Sequence, residues 1–202
     1  RSALVIWSIT VFSQFYSAFD IVLLGIIKGP KEVGYFTVAR QLVGWIIMFA
    51  IFMANAALPG LSSTFGKNLC EFNKIRMHFL KALVLLAGLT LLPLAVFTKN
   101  ILSASVGKSY FPADPVIKIF TIAAVLVFFN IPFSTSLIAA GYEKKVLRQV
   151  IVVALLSFIL NLALIPRFGM IGAAFSYLGA ESSALIWIVI IYRKACGGVR
   201  NR

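Results

Sequence analysis

The chain has 202 residues, 61% of them hydrophobic and only 12% charged, with a mean hydropathy of +0.99; a water-soluble domain of this length has no use for so much apolar surface. A net charge of +13 would suit a nucleic-acid binder, but Lys and Arg gather in short segments between apolar runs, and the 18 Phe sit inside those runs. That is a membrane pattern rather than a basic patch interleaved with base-stacking aromatics, so nucleic acid is excluded as a partner and the lipid bilayer is implied.

The sequence opens on Arg1 and enters an apolar run within two residues, without a signal-peptide pattern, so we expect an N-terminal part to precede it. A helix needs about 20 apolar residues to cross the hydrocarbon core. Six runs meet that length: 3–27, 33–58, 79–97, 115–139, 146–165 and 170–192. Helix-ending residues separate them: Lys28-Gly29-Pro30-Lys31, Pro59-Gly60, Gly107 to Pro115, Gly141 to Lys145, and Pro166 to Gly169. The segment 61–78 mixes Phe65, Leu69, Phe72 and Ile75 with Lys67, Lys74 and Arg76, which fits either an amphipathic helix lying at the interface or a solvated loop. The expectation is an all-α integral membrane unit of about six transmembrane helices.

Six spans bring both chain ends to one side, and that side carries twelve of the 19 Lys and Arg against seven on the other. The positive-inside rule then puts both termini in the cytoplasm. Cys70 and Cys196, the two cysteines, would face a reducing compartment and remain free thiols, with no CxxC pair or neighbouring His to suggest metal or redox chemistry.

Ionisable groups inside spans cost a few kcal/mol to insert, which makes each a functional candidate. Asp20 lies seven residues before the end of the first run and Arg40 seven after the start of the second, so both are expected about 10 Å below the same rim. Either Arg40 offers its guanidinium to an anion such as a pyrophosphate while Asp20 holds it in place, or the two form a closed structural ion pair. Glu181, near the middle of the last run, could couple transport to an ion or proton, or hydrogen-bond a neighbouring helix. Gln14, Ser17, Gln41, Asn55, Asn130 with Ser134, and Asn161 are uncharged polar residues that could line a lumen or bond helix to helix. Pro59, Pro93 and Pro132 can bend or end membrane helices. The lone His78 sits at a span edge, and no acid pair, nucleophile with a base, glycine-rich phosphate loop or metal motif recurs at catalytic spacing. No enzyme activity and no cofactor are expected.

Asp20 to Gly25, then Gly34-Tyr-Phe-Thr-Val-Ala-Arg-Gln-Leu42 and Leu58-Pro59, resemble the middle of polysaccharide biosynthesis and O-antigen-type flippases. These belong to the multidrug/oligosaccharidyl-lipid/polysaccharide exporter superfamily. Phe111-Pro-Ala-Asp-Pro-Val-Ile-Lys118, Ala139-Ala-Gly-Tyr-Glu-Lys-Lys145, Asn161 to Pro166 and Gly169-Met-Ile-Gly-Ala-Ala174 resemble the same family's C-terminal segment, in the same order. The resemblance implies the C-terminal six-helix lobe (1–202) of a MATE-like twelve-helix transporter in a bacterial or archaeal cytoplasmic (inner) membrane, with the N-terminal lobe of the same chain as its partner. It also implies a polyprenyl-pyrophosphate-linked oligosaccharide as substrate, flipped by alternating access for surface polysaccharide such as lipopolysaccharide. Substrate binding then falls to Arg40, Asp20, Gln41, Gln14 and Asn130, and ion coupling to Glu181 and Asp20. A lobe of a cation-coupled multidrug extruder, in which acids rather than Arg40 would dominate the cavity, and a non-transporting membrane scaffold are the rival readings. An echo between Val33-Gly34-Tyr35 and Ile171-Gly172-Ala173, each opening a run, suggests internal repetition.

Overall fold

The computed structural model describes residues 2–196, and among them it contains no strand. Six α-helices follow one another: α1 (Ser2–Lys28), α2 (Pro30–Thr64), α3 (Leu69–Val96), the short α4 (Thr98–Ser105), α5 (Asp114–Ala139) and α6 (Glu143–Cys196), with a 3-10 turn over Lys108–Ala113 before α5. Among the described residues, four helices are long and apolar enough to cross a membrane: Pro30–Thr64, Cys70–Val96, Lys108–Ala139 and Glu143–Arg193.

The last of these is too long for one crossing. A straight helix of 54 residues would extend about 80 Å, more than twice the ~30 Å hydrocarbon core. The chain instead folds back at Gly169, whose φ of 58° and ψ of −135° leave the helical region. Pairings on either side converge on that glycine. Gln149 Nε2 donates to the Ala184 carbonyl at 2.9 Å, Val153 packs with Ala180 and Ala184, Leu160 meets Gly179, and the Leu164 carbonyl lies against Gly172. Two antiparallel arms result, 143–168 and 170–196. Pro166 does not end the first arm; the turn comes three residues later, where a glycine supplies the left-handed φ that other residues rarely adopt.

The α1–α2 connection uses the same device. Gly29 has φ 85°, and Pro30 starts α2 at a position where its missing N–H has no intrahelical partner to lose. The two hairpins turn at the same end of the bundle, where Glu32 of α2 meets Met170 of the second arm. α2 and the second arm of α6 both start there and run parallel.

Two expectations are corrected at the other end. Pro59 does not close α2, which runs on to Thr64; it removes one backbone donor, and the helix stops only where Thr64 Oγ1 takes the Gly60 carbonyl at 2.9 Å and Gly66 turns with φ 79°. The segment 61–78 is neither an interfacial helix nor a long loop. Leu61 and Phe72 are buried, Phe65 and Phe72 pack edge-on at 5.3 Å, and Asn68 caps α3 by accepting from Cys70 N and Glu71 N. Leu61, Phe65 and Phe72 thus pin a tight α2–α3 turn. Cys70 is exposed and unpaired, while Arg1, Arg200, Arg202 and the side chains of Ser17, Lys194 and Cys196 lie outside the described residues.

The core lies where α2, α3 and α5 meet, around Phe36, Leu83, Leu91, Val116, Ile117, Phe120 and Phe128. An aromatic chain runs through it: Phe36 to Phe120 at 5.2 Å, then Phe120 to Tyr177 of the second arm at 5.2 Å. It ties α2, α5 and α6 at one level.

A side chain at Gly172 would meet the Leu164 backbone, whereas one at Gly88 meets nothing within 4 Å. We predict that Gly172→Val lowers stability by about 1–3 kcal/mol or abolishes folding, while Gly88→Ala stays within about 1 kcal/mol of the wild type. Thermal unfolding in detergent checks both, and equal melting of the two variants would contradict the hairpin packing.

Candidate functional site

Asp20 and Arg40 meet across the first hairpin. Arg40 Nη1 lies 2.8 Å from Asp20 Oδ1, and the same oxygen accepts from Ile21 N at 2.9 Å. The contact depends on the short Gly29 turn, which keeps Asp20 on α1 and Arg40 on α2 at nearly equal distances from it. The two side chains differ in surroundings: Asp20 is 5% exposed and Arg40 23%. The carboxylate is enclosed, and the guanidinium reaches an opening.

That opening is a cavity of about 350 Å³, lined by Ser13 and Gln14 of α1, Arg40, Val43, Gly44, Ile47 and Ile51 of α2, Phe120 of α5 and Tyr177 of the second arm. The α2 residues recur at helical spacing and make one stripe, with Arg40 as its single charge. Phe36, fully buried, backs Phe120, which in turn packs against Tyr177. Tyr177 stands one helical turn before the buried Glu181 on the second arm. An amphipathic guanidinium, amide and hydroxyl lining on an otherwise apolar wall can take up an anionic headgroup while keeping water contact limited.

The structure brings together Gln14, Asp20 and Arg40, with Glu181 buried nearby in the second arm. Gln41 is exposed on the neighbouring face of α2, one residue and about 100° round from Arg40, and does not line the cavity. Asn130 also lies away from it, further along α5, with its Oδ1 buried and without a hydrogen-bond partner. Asn161 faces Ser157 within the first arm at 3.4 Å, and Asn55 is exposed. Lys118 is exposed in the second turn of α5, paired with Asp114 at 2.9 Å. Among the described residues, no group of three or more His, Cys, Asp or Glu side chains is placed to hold a metal ion.

Ser13, Phe120 and Tyr177 complete the lining without having stood out in the sequence. Two of them had a signal. Ser13 precedes Asp20 by two helical turns on the same face, and Tyr177 precedes Glu181 by one turn. Phe120 had none, being one aromatic among many in an apolar run.

The model of the MatE family matches residues 8–163, most of the chain. The chain belongs to the MatE family. MatE proteins are membrane transporters of the multidrug/oligosaccharidyl-lipid/polysaccharide exporter superfamily, which agrees with an all-helical, multi-pass architecture. Two MatE relatives carry provisional names. One, from Haloferax volcanii, is named a low-salt glycan biosynthesis flippase and is 25% identical over 166 residues, covering 82% of this chain and 35% of its own length. The other, from Escherichia coli, is named an O-antigen transporter and is 27% identical over 167 residues, covering 82% of this chain and 40% of its own length. This MatE chain thus spans well under half the length of the curated relatives it matches. No solved structure matches it.

Removing Asp20 would leave the Arg40 guanidinium without its 2.8 Å partner. We predict that Asp20→Ala costs about 1.5–3 kcal/mol of stability. Adding Arg40→Met should recover part of that loss in a double-mutant cycle followed by denaturant unfolding, and strictly additive losses would show that the pair is not coupled.

Proposed function

We propose that this chain is the C-terminal lobe of a flippase that moves a polyprenyl-pyrophosphate-linked oligosaccharide across the cytoplasmic membrane of a bacterium or archaeon for surface polysaccharide biosynthesis. Arg40 is the residue that meets the pyrophosphate. The observation that carries the reading is a guanidinium anchored by a buried carboxylate and facing a cavity within membrane-spanning helices. The provisional names of the two relatives support the substrate class.

The difficulty of flipping is electrostatic. A pyrophosphate diester brings about two negative charges, and charge moved through hydrocarbon costs several kcal/mol or more. A cation already held in the wall offsets that cost, and a guanidinium can bond two phosphate oxygens at once. Asp20 keeps Arg40 at the right depth when no anion is present, and yields part of its hold to the stronger charge of the diphosphate when one is. Gln14 and Tyr177 offer hydrogen bonds to the linked sugar from α1 and the second arm. Asp20, bonded to the cavity's Arg40, and Glu181, one turn from the cavity's Tyr177, are the buried carboxylates we assign to ion coupling.

The second wall of the cavity is contributed in this reading by an N-terminal lobe, and the lobes rock to expose the cavity to either side in turn. The excess of Lys and Arg at the end carrying the α2–α3 and α5–α6 turns supports cytoplasmic termini.

We expect that, in the complete protein at matched expression, Arg40→Ala reduces outer-leaflet delivery of lipid-linked oligosaccharide by about tenfold or more. Arg40→Lys should retain part of the activity, because a point charge replaces a bidentate one, and Gln41→Ala should behave as wild type. Normal delivery by Arg40→Ala would reject the assignment.

A further inference from the structure

The two hairpins pack along α1 and α6, where Phe19 meets Phe158 at 4.6 Å, and at their turns α2 and the second arm are joined by one side chain. Glu32, in the first turn of α2, places Oε2 2.8 Å from the backbone nitrogen of Met170, the first residue after the Gly169 break. Every helix start leaves N–H groups without intrahelical acceptors, and a carboxylate there is favoured by both the hydrogen bond and the helix dipole. Such a cap normally comes from the residue just before the helix. Here it comes from another helix, 138 residues earlier. Gly169 makes room for it: a Cβ at this position would strike the Glu32 carboxylate, and the φ of 58° already disfavours any other residue. Lys28, Lys31 and Arg167 occupy the same two turns and are exposed, yet the carboxylate reaches inward to the N–H.

The bond matters because of what lies behind it. α2 and the second arm run parallel from this end, and about two turns further in they flank the cavity with Arg40 on one side and Tyr177 on the other. We propose that Glu32 is a positioning residue that acts as a clasp: its hydrogen bond to Met170 N holds the start of α2 against the start of the second arm of α6, and the gap between these two helices of the lobe widens toward the Gly29 and Gly169 turns only when that bond is released. The clasp acts whatever the cavity carries, so a failed flippase assay would leave it standing.

The test uses the complete protein in proteoliposomes, with Cys70, Cys196 and any other native cysteine replaced by Ser and a single cysteine introduced as Gly44→Cys, a cavity position where an added Cβ meets nothing within 4 Å. A membrane-impermeant maleimide is applied from the side of the Gly29 and Gly169 turns, and the labelling rate is read. Losing a charge-assisted hydrogen bond should make Glu32→Ala label about tenfold faster than the parent, whereas Glu32→Gln, which keeps an acceptor oxygen, should stay within about twofold. Should Glu32→Ala fail to fold, Glu32→Asp, one methylene short of reach, must show the same acceleration. A parental rate in the variant that lacks the reach, or equal acceleration in Glu32→Gln, overturns the proposal.

Discussion

An ion pair inside an apolar bundle constrains everything around it. Neither Asp20 nor Arg40 could stay charged alone among α1 and α2, so the two must meet, and meeting fixes the register of the first hairpin. A longer turn than Gly29 would slide α2 along α1 and part the groups. Their contact at 2.8 Å is also lopsided, with the acid enclosed and the base opening on the cavity. That asymmetry turns a structural pair into a presented cation. In the proposed reading, this is the wall that receives the anion.

The rest of the bundle holds that wall in place. α5 packs against both α2 and α6 and sets Phe120 against both Phe36 and Tyr177, so the level of Arg40 on α2 and of Tyr177 on α6 is shared through one aromatic chain. The α6 hairpin closes by small residues, Gly172, Gly179, Ala180 and Ala184, which let its arms approach where lipid gives no hydrophobic reason to do so. Glu32 ties this hairpin to the first at their common end. A parallel pair of helices, joined at one end and separated by a cavity further in, is a geometry that can hinge.

Much of this could be read from the residues alone, and the failures have one source. Apolar length and helix-ending residues are properties of the chain itself, so the runs at 3–27, 115–139 and 170–192 fall within α1, α5 and the second arm of α6. The Asp20–Arg40 contact followed from equal distances to a short turn. Helix rotation is different. In water the polar face of a helix announces the outside, but in lipid both faces are apolar, so nothing in hydropathy distinguishes the face of Arg40 from the face of Gln41. Gln41 and Asn130 were therefore grouped with residues they do not join, and Tyr177 was overlooked although it stands one turn from Glu181. Pro59 misled for another reason: a proline inside a long helix costs one hydrogen bond, which the packing of Leu61 and of Phe65 on Phe72 outweighs. The trans-cap from Glu32 to Met170 joins positions too far apart for any local pattern to reveal.

The proposed role of Arg40 stands on an anionic, lipid-linked cargo. The most direct measurement is binding to the complete, purified protein in lipid nanodiscs, comparing a polyprenyl-pyrophosphate-linked saccharide with its uncharged polyprenol counterpart in wild type and in Arg40→Gln. The account predicts that the wild type prefers the pyrophosphate by about tenfold or more and that Arg40→Gln loses this preference. An undiminished preference in Arg40→Gln would contradict it.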